Sequence, residues 1–567
     1  MLKNKIQIAI LGGGPSGLFM FKRLIELGRT DIHIDIFEKR KQLGAGMPYS
    51  VEGAGNEHVT NVSGNEIPEL VTSIADWIKT APAAILKPYS IDLENFNDYK
   101  VLPRLLFGQY LSAQFELLKQ QADEKGISYR IQQDATVTDI IDQPNTGTVI
   151  IELNKSSQVT YDKVIICTGH KWPKVHEGII PNYFDSPYPP AKLALKLNYP
   201  VGIKGASLTA VDAIRTLARH NGTYHKQANG KLVYQLADDS KGFKMVLHSR
   251  NGMLPAVRFH LEDSHLQNDK LLMPEEIDAH IIANGGYLSL DYIFEKDFKA
   301  IFKDKQPEFY SRIKDMQMEE FVDLMMSLRE QADPFELLKA EYAQAAESIK
   351  RQESIYWKEM LGVLSFAMNY PAKHLSAEDM LRLQKTLMPL IALVIAYVPQ
   401  SSCEEIMALH DAGLLSLVDV GNDSSVEPQK LGGATYFYED KTTKHFDLFI
   451  DCTGQPHLSF EDFPFQGLIV NKTISPARLQ FRSVVEAEKA IAAGNKQVEQ
   501  DKDGQYCLRV QGITINDNFQ IVDEAGVANE RIYIMAVPYI GGYNPDYSGL
   551  DFCEAASKIV KEKIFNY

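Results

Sequence analysis

The sequence predicts an α/β chain in which two nucleotide-binding-like units, each on a parallel sheet, are interrupted by a helical insertion. Three observations carry that expectation. Residues 5–11 form an apolar strand that runs straight into Gly12-Gly13-Gly14-Pro15-Ser16-Gly17. A helical stretch, 18–27, follows and stops at Gly28, and a second strand, 31–37, delivers Glu38. A weaker copy starts near Tyr199, with a short strand at 201–204, the turn Gly205-Ala206-Ser207 and a helix at 208–219. Two further apolar strands end on one tripeptide, Cys167-Thr168-Gly169 and Cys452-Thr453-Gly454.

In the first unit each residue type answers a steric or electrostatic need. Gly12 allows the tight turn, Gly14 lets backbone approach a pyrophosphate, and Gly17 lets the helix pack closely on the strand. Pro15 and Ser16 complete the turn, so that the unpaired N–H groups of the helix N-terminus face the phosphates. Glu38 stands 21 positions after Gly17, where a carboxylate accepts ribose hydroxyl protons and repels a 2′-phosphate. The unit is a Rossmann-like ADP cradle. By itself it does not choose between FAD and NAD.

With 567 residues the chain needs two or three domains. A net charge of −15 argues against nucleic acid or an anionic membrane as a partner, because either would call for a basic face. The five cysteines, at 167, 403, 452, 507 and 553, show neither a CxxC pair nor metal spacing. That excludes a disulfide framework, a zinc site and the dithiol flavoproteins, and fits a reducing cytoplasm. Residues 387–398 form the longest apolar run outside the first strand. The run contains Pro389 and is shorter than the ~20 residues a membrane helix requires, so it is expected as a buried helix.

We place the first domain at 1–195, a second nucleotide-binding-like domain at 196–272 and 410–460, the helical insertion at 273–409, and a C-terminal return to the first domain at 461–567. Within these, 102 to about 125 is expected as a helix, 127–153 as hairpin strands and 161–168 as a buried strand. Strands are also expected at 231–236, 243–247, 415–420, 433–439, 446–454, 510–515 and 531–536, with a terminal helix from about 549. The stretch 220–243 makes the spacing of the second unit irregular.

The two Cys-Thr-Gly strand ends resemble the ATG-type motifs of two-dinucleotide flavoproteins of the glutathione-reductase-like class. A narrower resemblance is carried by Leu43-Gly44-Ala45-Gly46-Met47-Pro48-Tyr49-Ser50, His58-Val59-Thr60-Asn61-Val62 and residues 103–111, with 205–212 and 248–255 later in the chain. These resemble the bacterial FAD-NAD(P)-binding family, related to the N-hydroxylating and Baeyer-Villiger flavin monooxygenases. The resemblance implies FAD on the first unit, with Gly12, Gly14, Gly17 and Glu38 on its ADP half. Thr168 and Gly169 would turn beneath the nucleotide, Gly46, Tyr49 and Asn61 would lie near the ribityl chain or ring, and Arg104 would meet the pyrophosphate. Ser548-Gly549-Leu550-Asp551 reads as a capping box that starts the last helix, whose N-terminus in this class points at the flavin.

The second turn departs from the pattern because Ser207 stands where a second glycine is usual. Leu208 and Thr209 open its helix, and Ser249 and Arg250 end the following strand, where arginine pairs with a 2′-phosphate and favours NADPH over NADH. No metal site is visible, and no side chain stands out as catalytic. The expected activity is a FAD-dependent NAD(P)H oxidoreductase, a monooxygenase by resemblance, acting on a small molecule such as an amine or amino acid. A reductase or oxidase without oxygen insertion, and a non-catalytic flavin-binding sensor, are the alternatives. The sequence assigns no oligomeric state.

Overall fold

The computed structural model describes residues 5–89, 91, 96–170, 172–262, 271–369, 371–455, 458–545 and 549–565. Strand Ile6–Leu11 is apolar throughout its second half and buried there, as a central parallel strand covered on both faces must be. It pairs in parallel with Ile32–Phe37 on one side and Lys163–Ile166 on the other. Ser128–Gln132 extends the sheet past Ile32–Phe37, and Ala528–Ile534 extends it past Lys163–Ile166. Antiparallel Gln520–Val522 makes the sixth strand. Helix Pro15–Glu26 packs on this sheet, and the last helix, Leu550–Phe565, lies against it. Arg23 and Lys22 clasp Glu554 across that contact.

The stretch 127–153 is not one hairpin. Ser128–Gln132 leaves as a parallel edge strand, while Val137–Gln143, Thr148–Leu153 and Ser157–Tyr161 form an antiparallel meander. Half-buried strands of either kind alternate in the same way, so periodicity cannot separate them.

The second sheet has five parallel strands in the order Tyr183–Phe184, Leu448–Asp451, Pro200–Lys204, Lys244–Ser249, Leu415–Asp419. Its two-residue first strand precedes the boundary set at 195, being too short to leave a pattern. The irregular stretch 220–243 holds an antiparallel hairpin, Gly222–Lys226 with Leu232–Leu236. A three-stranded ribbon over 425–446 covers one end of the sheet.

Between the two halves of this unit lies a helical region from Pro274–Ala283 to Gln400–Asp411. Phe298 packs at 5.1 Å from both Phe302 and Phe321 in its core. Glu341 there accepts from Arg329 at 2.6 Å and Lys358 at 2.7 Å, all three side chains buried. No described helix is long and apolar enough to cross a membrane.

Candidate functional site

The turn after Ile6–Leu11 is shaped by two glycines. Gly12 has φ +117°, and a Cβ on it would lie 2.5 Å from the Cys167 carbonyl oxygen, so the first turn and the first Cys-Thr-Gly touch through backbone alone. A Cβ on Gly17 would overlap the carbonyl of Gly12, which is why the helix sits so close to the strand. Gly14 caps the helix in extended backbone, φ −78° and ψ −164°, without a side chain bonded to the first-turn N–H groups. Those donors stay available to an anion. Glu38, 5% exposed, follows Ile32–Phe37 and accepts the Gly13 N–H at 2.8 Å and the Arg40 N–H at 2.9 Å. Its carboxylate is thereby fixed beside the turn.

These groups face a cavity of about 860 Å³, which is within the size range of cofactor clefts. Of the residues expected on FAD, Gly12, Gly14, Pro15, Ser16, Glu38, Gly46, Tyr49, Thr168, Gly169, Gly549 and Leu550 line it, and Gly17 lies beneath it. The Thr168 hydroxyl is buried in this wall with no protein partner. Tyr49 meets Phe107 edge-on at 4.8 Å, and burial pushes its phenol up to about 12, so it is a neutral wall residue. Cys167 and Cys553 also line the cavity, and burial raises both thiols, Cys553 to about 12. Neither is poised as a thiolate.

Sequence reasoning missed an aromatic part of the wall. Trp172 lies 5.7 Å from His170 and 5.1 Å from Tyr188, on the segment joining the two units. Phe465 and Tyr539 add to it from the C-terminal return. The only local signal was the His-Lys-Trp run directly after Gly169. His170 lines the cavity and bonds Gln455, the residue after the second Cys-Thr-Gly.

Three expected FAD contacts are not placed there. Ser548, and with it the proposed capping box, lies outside the described residues. Asn61 is in strand Val59–Ser63, away from the cavity lining, and its carbonyl accepts from Arg258. Arg104 does not reach for a pyrophosphate: its Nη1 donates to Asp212 Oδ2 at 2.5 Å and its Nε to the Val59 carbonyl at 2.9 Å. Asp212 is buried and belongs to helix Leu208–Asn221 of the second unit, so the half-buried Arg104 ties the two units together. Tyr188 donates to the same Asp212 oxygen at 2.6 Å. Burial opposes the Asp212 charge, but Arg104 and the Tyr188 hydroxyl outweigh it and hold the carboxyl below its ordinary range. His58 accepts the Gly55 N–H at Nδ1, so its Nε2 carries the proton shared with the Asp212 carbonyl, and burial keeps the ring neutral.

The second turn repeats the first in backbone. Gly205 has φ +102°, and a Cβ on it would lie 2.6 Å from the Cys452 carbonyl oxygen. Ser207 caps its helix at φ −92° and ψ −164°, close to the geometry of Gly14, so serine costs the turn nothing. Ala210 takes the place of Gly17 and is fully buried. Strand register sets the remaining correspondences: Leu11 pairs with Phe37 and Lys204 with His248, so Ser249 occupies the Glu38 position and the exposed Arg250 follows. At the strand ends Lys204 faces Asp451 at 3.3 Å, where the first unit has Leu11 beside Ile166. Leu208 and Thr209 are half-buried, and Ser207 is exposed.

Residues 9–171 match the family described as FAD-NAD(P)-binding. That match takes in the Gly12 turn, Glu38 and the first Cys-Thr-Gly. Residues 273–395 match the YdhS-like middle domain, which falls within the helical insertion. Uncharacterized protein YdhS of Escherichia coli (strain K12) is 28% identical over 468 residues, covering 82% of this chain and 85% of that protein. Among solved structures, the FAD-bound DfoA, a cadaverine monooxygenase of Erwinia amylovora, is 11% identical with a TM-score of 0.44, covering 99% of this chain and 94% of its own. The bacillithiol disulfide reductase Bdr of Staphylococcus aureus is 10% identical with a TM-score of 0.42, covering 99% of each. Among the described residues no group of three or more His, Cys, Asp or Glu is placed to hold a metal.

Proposed function

We propose that this chain is a FAD-dependent oxidoreductase reduced by NADPH, and that it passes the electrons to oxygen as a small-molecule monooxygenase. The observation that carries the flavin part is one cavity faced by the Gly12 turn, Glu38, the unpartnered Thr168 hydroxyl and the start of the last helix. Bound there, FAD supplies a centre that accepts a hydride from reduced nicotinamide. Everything else falls to the protein. The free N–H groups of helix Pro15–Glu26 would hold phosphate, Glu38 would accept ribose hydroxyl protons, and Thr168 would gain the hydrogen-bond partner it lacks. Trp172 and Tyr188 close the wall against water, which strengthens the electrostatics inside. The neutral Cys167 and Cys553 thiols leave no dithiol route for the electrons.

The nicotinamide preference rests on the second unit. Ser249 at the Glu38 position removes the charge that repels a 2′-phosphate, and Arg250 offers a guanidinium to it. The oxygen-inserting branch rests on the resemblance of residues 43–50, 58–62 and 103–111 to flavin monooxygenases, and an amine or amino-acid substrate rests on the N-hydroxylating members.

The test is anaerobic mixing of the flavin-loaded protein with NADPH or NADH, followed by admission of oxygen in the presence of candidate amines. NADPH should bleach the flavin at lower concentration than NADH, and Arg250→Ala should erase that difference. No bleaching with either nucleotide overturns the proposal. Bleaching followed by stoichiometric peroxide and no oxygenated product removes the monooxygenase part and leaves an oxidase.

A further inference from the structure

Away from the flavin cradle, a separate cavity of about 220 Å³ lies where the helical insertion meets the last helix. Leu272, Ile277, Phe366, Phe519 and Ile559 make its walls apolar. Three polar side chains, Asn369, Asn544 and Asp297, complete the lining, and of these only Asp297 is ionisable. Asp297 ends helix Leu290–Asp297 and is 2% exposed, and its Oδ1 accepts the Leu272 N–H at 2.8 Å.

No lysine, arginine or histidine among the described residues pairs with Asp297. Its nearest charged influence is Glu276, which has the same sign. It also sits at a helix C-terminus, the end that disfavours an anion. A carboxylate placed so, buried and with no counter-ion among the described residues, is costly unless a partner arrives. The cavity beside it is where a partner fits.

We propose that this cavity binds a small organic ammonium ion, the cationic head against Asp297 and an aliphatic body between the apolar walls. At the ~30 Å³ that a water occupies in the liquid, the space takes a ligand of roughly five to seven non-hydrogen atoms. Burial and Glu276 raise the Asp297 carboxyl to about 6, the state expected of an acid waiting for a cation. The site stands on its own geometry and needs no flavin chemistry, although Phe552 lines both cavities.

Calorimetric titration of the full-length, flavin-loaded protein with n-butylammonium chloride, and with n-butanol as the neutral isostere, tests it. Saturable binding of one equivalent of butylammonium, at least tenfold tighter than butanol, is expected. Asp297→Asn keeps an acceptor for the Leu272 N–H and should weaken butylammonium at least tenfold while leaving butanol unchanged. Ala555→Leu fills the cavity from the last helix and should abolish binding of both, which decides the matter if Asp297→Asn fails to fold. Flavin content should stay constant in the variants. Absence of saturable butylammonium binding, equal affinity for butanol, or binding indifferent to Asp297→Asn and Ala555→Leu overturns the site.

Discussion

At Gly17 the first unit has no room for a methyl group, whereas the second unit carries Ala210 at the same place, fully buried. The two turns share a backbone path, so the difference lies in how closely each helix approaches its strand. Gly17→Ala should therefore push helix Pro15–Glu26 outward and cost about 1–3 kcal/mol through overpacking. Thermal unfolding would show it as a lower Tm, together with reduced flavin content. Thr168 makes a sharper test because its two effects have opposite signs. Its hydroxyl is buried without a partner in the protein alone, so Thr168→Val should stabilise the flavin-free protein by about 1 kcal/mol. If that hydroxyl serves the cofactor, the same change should weaken FAD binding roughly fivefold, about 1 kcal/mol. A Tm measured with and without FAD separates the two effects, and equal shifts in both would remove Thr168 from the site.

The strand that corresponds to Ile32–Phe37 in the second unit, Lys244–Ser249, carries His248 where the first has Phe37. His248 stacks on Tyr436 at 4.2 Å, donates from Nδ1 to the Ile203 carbonyl at 3.0 Å and accepts the Tyr438 hydroxyl at Nε2. Burial depresses it from 6.5 to about 4, so it stays neutral in the folded chain. Above pH 6.5 both states hold it neutral and its stabilising contacts are fully present. Below that the unfolded chain gains a proton the folded one refuses, and on the order of 3 kcal/mol is lost by about pH 4. His248→Gln should be less stable than the parent at pH 7.5, with the gap narrowing toward pH 4.5 in denaturant titrations. A pH-independent gap would contradict it. At this scale the first unit was legible because Gly12, Gly14, Gly17 and Glu38 lie within one continuous βαβ segment, where spacing alone fixes neighbours. The hairpin Gly222–Lys226 with Leu232–Leu236 was not, since its strands are short, polar and mostly exposed. The sequence likewise suggested a pyrophosphate partner for Arg104, whereas its ion partner lies 108 positions away on another unit, beyond the reach of any local pattern.

That long-range tie decides how the two units act as one molecule. Arg104 comes from the first unit, Asp212 from the second, and Tyr188, which lines the flavin cavity, from the connection between them; Arg104 and Tyr188 both donate to one Asp212 carboxylate oxygen. Removing the negative charge leaves a half-buried guanidinium without compensation, close to the situation in which a buried pair costs most to break. Asp212→Asn should lower stability by about 3 kcal/mol, read as a Tm fall of roughly 6–12 °C in the cooperative unit that holds the interface. A paired replacement, Arg104→Leu with Asp212→Leu, removes both charges and should recover most of that loss, because apolar substitutes of similar volume often match a buried ion pair. The two variants should part company in the flavin site. In Asp212→Asn, Tyr188 keeps an acceptor, so the cavity wall stays closed and flavin fluorescence remains as in the parent. In the double variant Tyr188 loses it, and the wall beside Trp172 should open to solvent quenchers such as iodide. If the double variant is as unstable as Asp212→Asn, the interface depends on its charges for more than mutual neutralisation. If iodide quenching is alike in both, Tyr188 is held by packing against Trp172 rather than by Asp212.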